Sequence, residues 1–229
     1  MVPLIVIRPE PGCAATTAAA RALGLDAAGH PLFAVEPRSW QAPLADEFDA
    51  LLIGSANVLR HGGRGLDALN GLPVHAVGET TAQAAREAGF TVASTGSGGL
   101  QGVLNALPPA HRRLLRLAGD ERVPLTLPPG TSMEERVTYA SVPRPLPPEL
   151  AELLRAPAII AAHSAEAVRH LTAECVRLGL RRAPLRIAAL GPRVAQAAGD
   201  GWGEVAVAQA PNDTALLALA RQMCQDPWR

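Results

Sequence analysis

Cysteine is scarce in this chain of 229 residues: Cys13, Cys175 and Cys224 are three in number, hence odd, and lie far apart. That usage argues against a disulfide framework and a zinc cluster, and predicts a reducing compartment. Aromatic residues are as rare, at 3%, with Tyr139 the single tyrosine. Neither sign of charge is in excess, since Lys+Arg and Asp+Glu each number 21. A balanced surface has no global field to attract nucleic acid or an anionic membrane. No apolar run approaches the ~20 residues that cross a bilayer. The opening Met1–Arg8 is too short, and wrongly ordered, for a signal peptide. A cytoplasmic protein with neither nucleic acid nor membrane as partner is expected.

What remains is 48% apolar and 18% charged, a globular composition long enough for one large or two small domains. The stretch from Val74 to Gly89 sets the pattern. An apolar run ends at Gly78, an Ala-rich helical segment follows, and Gly89 stands where a helix stops. This strand-turn-helix step recurs along the chain. Leu4–Ile7 is a continuous apolar run, as in a strand buried on both faces of a parallel sheet. A helix over 13–23 ended by Gly24 follows, then a strand over 32–35. Further strands are expected at 49–53, 91–94, 113–117 and 136–142, and helices after Asn57 and over 100–107. Gly96-Ser97-Gly98-Gly99 lacks the Lys-Ser/Thr of a phosphate loop and reads as a plain turn. Prolines 124, 128 and 129 make 122–131 short or irregular, and Pro143–Pro148 reads as an extended connector. Strands at 158–162, 186–190 and 204–208 alternate with helices, the last capped by Asn212 or Asp213 and reaching about Cys224.

The second half repeats the first. Ile187–Ala198 aligns with the step above, Gly191 on Gly78 and Ala195–Ala198 on Ala82–Ala85. Ser55-Ala56 and the helix behind it align with Ser164-Ala165, in the same order and at nearly the same spacing. The expected architecture is α/β: two similar doubly wound, flavodoxin-like parallel-sheet domains joined by a two-strand hinge. Residues 1–35 with 143–229 form a discontinuous domain, and 36–142 an inserted one. Ligands in such sheets bind beyond the C-terminal strand ends. Those ends carry Arg8, Ser55, Gly78, Gly119, Ser164 and Gly191, expected around one interdomain cleft.

These residues carry a resemblance. Arg8-Pro9, Ser55-Ala56, Val77-Gly78-Glu79-Thr80-Thr81-Ala82, Gly119-Asp120, Tyr139, His163-Ser164 and Leu190-Gly191-Pro192 recur together in uroporphyrinogen-III synthases. The resemblance covers essentially the whole chain. It implies a lyase of tetrapyrrole and heme synthesis, usually monomeric and without cofactor or metal. Such enzymes cyclise linear hydroxymethylbilane to uroporphyrinogen III, inverting ring D through a spiro intermediate with loss of water. It further implies that Tyr139 faces the substrate and assists departure of the hydroxyl. Ala56, Gly78, Thr80, Thr81, Gly119 and Gly191 belong to the turns that hold carboxylates through backbone N–H groups. Arg8, Arg122 and Arg193 are the candidate cations. Ser55 and Ser164 are helix caps placed to touch a carboxylate, and His163 is a candidate acid–base group with no carboxylate near it in sequence. Arg193-Val194 replaces a hydroxyl residue frequent after Gly-Pro in the family. A transient contact with hydroxymethylbilane synthase is the expected macromolecular partner. A non-enzymatic tetrapyrrole or small-ligand binder, and a nucleotide-binding flavodoxin-like domain, are the competing readings.

Overall fold

The computed structural model describes residues 2–225. The N-terminal apolar run forms β1 (Leu4–Val6), every residue of it fully buried. α1 (Gly12–Ala22) follows, and Gly24 at φ +78° turns the chain out of it. The next strand, β2 (Ala27–Gly29), pairs parallel with β1 and was not expected. Ala-Ala-Gly offers no apolar run to read. Its smallness is imposed by packing, since a Cβ on Gly29 would come within 2.8 Å of the Cys13 sulfur.

The strand expected at 32–35 exists as β3 (Phe33–Pro37), but it belongs to the other sheet, beside β8 (Ser132–Pro143). Between them the chain forms β4 (Ala50–Ile53), α2 (Asn57–His61), β5 (Val74–Val77), α3 (Glu79–Glu87), β6 (Val92–Gly96), α4 (Leu100–Asn105) and β7 (Arg113–Gly119). Gly63–Leu69, read as a loop at its start, is a 3-10 helix, and Gly96 ends β6 rather than opening a turn. Residues 120–131 form no helix. After β8 come α5 (Pro148–Leu153), β9 (Ala158–Ala162), α6 (Ala165–Arg177), β10 (Leu185–Ala189), α7 (Pro192–Ala198), β11 (Glu204–Val207) and α8 (Asp213–Gln225). α5 was missed because its prolines read as a connector; Pro148 instead opens the first turn, where no N–H is needed.

Packing divides the chain into two units, Met1–Ala34 with Val142–Arg229, and Val35–Ser141. The first holds a sheet in the order β11-β10-β9-β1-β2, and the other sheet runs β3-β8-β7-β4-β5-β6. Starting from β9 and β4, the two orders coincide. β10 and β11 lie on one side of β9 as β5 and β6 lie on one side of β4, while β1-β2 matches β7-β8. The first unit is thus a circular permutation of the second, which carries β3 as an added edge. The repeat seen in the sequence is the shared part of this plan.

In the five-stranded sheet, successive residues face opposite sides. Ile5, Ile160 and Ile187 pack with α6 and α7, while Leu4, Val6, Ile159 and Ala161 pack with α1 and α8. The six-stranded sheet is covered unequally. Leu51, Ile53, Leu115 and Leu117 meet residues of α2 and α3 on one side. On the other, Ala50, Leu52 and Leu114 have only Val103 and Leu104 of α4 as buried partners. The helix that would complete this layer is replaced by the proline-broken 120–131 segment. Buried polar groups fill the place: His75 pairs in register with Leu52 and Ser94, and Leu52 with Arg116, which pairs with Glu135.

Candidate functional site

A doubly wound sheet opens a crevice where its strand order reverses, because adjacent connections leave in opposite directions. The reversal lies between β4 and β7 in one unit and between β9 and β1 in the other.

At the first reversal, the ends of β4 (Gly54, Ser55) and β7 (Leu117–Gly119) line a cavity of about 200 Å³, with Leu100, Arg116, Arg122, Val123, Leu125 and Tyr139 around it. Ligand pockets for drug-sized molecules run from about 300 Å³ upward, so this one suits a single substituent. Tyr139 is held over Gly119, where any Cβ would sit 2.8 Å from its ring, and the Tyr139 carbonyl accepts from Asp120 N at 3.0 Å. Its ring centroid is 6.4 Å from that of His61. Arg116 is only 4% exposed; it donates to Glu135 at 2.7 Å and to the Val123 carbonyl at 3.0 Å. Arg122 donates to the other Glu135 oxygen at 2.8 Å and to the Asp120 carbonyl. Burial raises the Glu135 pKa, but the two guanidiniums outweigh it and hold the group below the usual range. Glu121 lines the cavity as well, so the two arginines here are matched by two carboxylates, and Arg116 and Arg122 are both drawn to Glu135.

Ser55 Oγ accepts from Asn57 N at 3.2 Å, and Ala56 lies at the start of α2. Gly78 takes φ +75° and ψ 151°, a region open essentially to glycine alone, and donates its N–H to Gly96 at 2.8 Å. Past it, Thr80 is exposed while Thr81 is only 5% exposed, so Thr80 faces solvent and Thr81 the interior.

At the second reversal, side chains close on one another. Arg8 Nη1 donates to Thr16 Oγ1 and to both oxygens of Asp213, each at 3.2 Å. Thr16 Oγ1 donates to Asp213 at 2.6 Å, and His163 Nε2 to its other oxygen at 3.0 Å. Asp213, the first residue of α8, thus supplies the carboxylate that sequence left His163 without. Asn212 is the cap of that helix, accepting from Ala215 N at 2.9 Å, which frees Asp213 for the cluster. The alternative raised at the cap position was the available signal. Burial and the Arg8 charge lower the His163 pKa against the pull of Asp213. Burial raises that of Asp213, but Thr16, His163 and Arg8 hold it below the usual range. Ser164 caps α6, accepting from Ala167 N at 3.1 Å. Gly191 lies at the start of α7, and Arg193 is exposed with no ionic partner among the described residues.

A family model described as "Uroporphyrinogen-III synthase HemD" matches residues 14–218. No curated protein sequence matches the chain. The uroporphyrinogen-III synthetase of Helicobacter pylori superposes with a TM-score of 0.67 at 16% identity, covering 97% of this chain and 100% of its own. A mutant uroporphyrinogen III synthase of the extreme thermophile Thermus thermophilus gives 0.54 at 20%, covering 99% and 100%. Such identities show a common fold.

Proposed function

The chain belongs to the uroporphyrinogen-III synthase family, lyases of heme synthesis, and we propose that it works by holding its linear tetrapyrrole at both topological switch points. The observation that carries this reading is the match of the family model to residues 14–218, which takes in both switch-point turns that follow Ser55 and Ser164.

The chemistry asks little of side chains. Loss of the ring A hydroxyl leaves an electrophilic azafulvene cation. Ring D attacks it through the substituted carbon, giving the spiro intermediate, which fragments and recloses with ring D inverted. Pyrrole is already nucleophilic, and the leaving hydroxyl needs only a proton. The protein's task is to favour the folded conformation that leads to the spiro route over direct closure. Positioning of this kind can lower a barrier by up to about 7–11 kcal/mol.

Eight substrate carboxylates require donors. In this reading backbone N–H groups at Ala56, Thr80, Gly119 and Gly191 supply some, with Ser55 and Ser164 beside them, while Gly78 and Thr81, whose N–H groups are taken by the Gly96 and Gly78 carbonyls, shape the turn. Arg8, Arg122 and Arg193 supply charge, and the cavity beside Arg122 takes one acetate or propionate arm. Tyr139, on the wall of that cavity, donates to the departing hydroxyl, and His163 contacts substrate at the other switch point. The protein is read as cytoplasmic, with a transient contact to hydroxymethylbilane synthase, which delivers an unstable substrate.

The test is an isomer assay. Purified protein coupled to hydroxymethylbilane synthase is expected to yield mostly the type III isomer; type I alone would overturn the reading. Tyr139→Phe is expected to lower kcat about tenfold or more with KM little changed.

A further inference from the structure

Every hydrogen bond of Arg8 among the described residues runs through one nitrogen. Nη1 reaches Thr16 and both oxygens of Asp213, while Nε and Nη2 make none. The guanidinium lies against Gly12, where a Cβ would stand 2.5 Å from Nε and 2.7 Å from Cζ. Asp213 is itself fixed by Thr16 at 2.6 Å and by His163 at 3.0 Å, whose side chain is 7% exposed. The Arg8 and Asp213 side chains are 32% and 40% exposed, so solvent reaches the pair. One edge of the fork is therefore anchored and the other is open. A guanidinium binds a carboxylate best through two parallel N–H donors, and Nε with Nη2 forms such an edge.

We propose that the Nε/Nη2 edge of Arg8 is a preset receptor for one substrate carboxylate, and that Asp213 is the positioning residue that presets it. This rests on the tetrapyrrole-binding reading above. A free arginine loses rotamer freedom on binding; one already held by Nη1 and seated on Gly12 loses less. Asp213 thereby strengthens anion binding although its own charge opposes it.

That opposition gives a test by sign. Asp213→Asn removes a negative charge beside the receptor, which by Coulomb's law alone tightens an octacarboxylate. Positioning demands the reverse. The readout is binding of uroporphyrinogen III, measured by calorimetry without oxygen. Asp213→Asn is expected to weaken it about tenfold, the size of one charge-assisted bond. Arg8→Gln is expected to weaken it at least as much, and adding Asp213→Asn to Arg8→Gln to change nothing further. Unchanged or tighter binding by Asp213→Asn, or additive losses in the double variant, overturns the proposal. If Asp213→Asn does not fold, Thr16→Val loosens the same anchor and is expected to weaken binding about threefold; no change there also overturns it. Wild-type protein that binds uroporphyrinogen III but forms no type III isomer loses the enzymatic reading, while the sign test on Asp213 stands.

Discussion

The two switch points share a backbone plan and differ in what fills them. After the third strand of each repeat a helix begins, with Asp213 in one unit and Leu100 in the other. Asp213 draws Arg8, Thr16 and His163 into a closed cluster. Leu100 draws nothing polar and becomes one wall of a cavity. The buried charged group beside that cavity, Arg116, instead lies along the sheet under the 120–131 segment, tied to Glu135 and Val123. A repeated fold thus conserves where a site sits, through the reversal of strand order, while single residues decide whether it is filled or open.

The comparison can be broken most sharply at the two arginines. Arg116→Met strips two charge-assisted hydrogen bonds and leaves Glu135 with Arg122 alone, at an expected cost of about 3 kcal/mol. Arg8→Met, in a half-exposed pair, is expected to cost about 0.5 kcal/mol. Urea unfolding of both variants measures the difference, and equal costs would erase the distinction between a structural and a receptive arginine.

The matched glycines come next. Gly78 holds φ +75°, whereas Gly191 is extended at φ −167° with nothing within 4 Å of a built Cβ. Gly78→Ala is expected to destabilise by about 2–3 kcal/mol, and Gly191→Ala to be close to neutral. Thermal unfolding of the two alanine variants gives the answer.

Acid should then separate the units. His75, 1% exposed, meets Ser94 at 2.7 Å and His111 at 2.8 Å, and burial with the neighbouring His111 charge lowers its pKa from 6.5 to about 4. The position aligned with it in the other unit is Ala188. A folded pKa below the unfolded value means that protons favour the unfolded chain. The stability linked to neutral His75 is complete above pH 6.5 and is lost as pH falls toward 4, about 2 kcal/mol of it by pH 5. Amide exchange at pH 7 and 5 should show β4–β6 opening with acid more than β9–β11. Equal acid sensitivity would place the liability elsewhere.

The smallest expected effect is at the paired serines. Ser164 caps a long helix and Ser55 serves a five-residue one. Ser164→Ala is expected to cost about 1 kcal/mol and Ser55→Ala about half as much. A larger loss of uroporphyrinogen III binding than of stability at either position would mark that hydroxyl as a substrate contact.

Much of the fold was legible because buried parallel strands are continuous apolar runs and their turns are glycine-rich. Leu4–Val6, Ala50–Ile53, Ala158–Ala162 and Leu185–Ala189 were all visible in this way. β2 was not, since an Ala-Ala-Gly strand is chosen by the space beside Cys13 and not by its own apolarity. β3 was seen but assigned to the wrong sheet, because an apolar run records that a strand is buried and not which strand lies beside it. Of the candidate site, the strand-end positions could be read from the repeat, but Asp213, Arg116 and Glu135 could not. Asp213 lies 205 residues from Arg8 in the chain, a separation across which local pattern carries no information.

By itself, then, the sequence determined the alternation of strand and helix, the repeat, and the turns at which each strand ends. Those depend on local apolarity and on glycine's freedom. The tertiary structure alone decided the permuted strand order, and with it which strand ends meet. It also decided that Arg8 is anchored on one edge and open on the other. That outcome depends on a carboxylate from α8, 205 residues along the chain, arriving at a guanidinium that lies on the nearby Gly12, which only packing brings about.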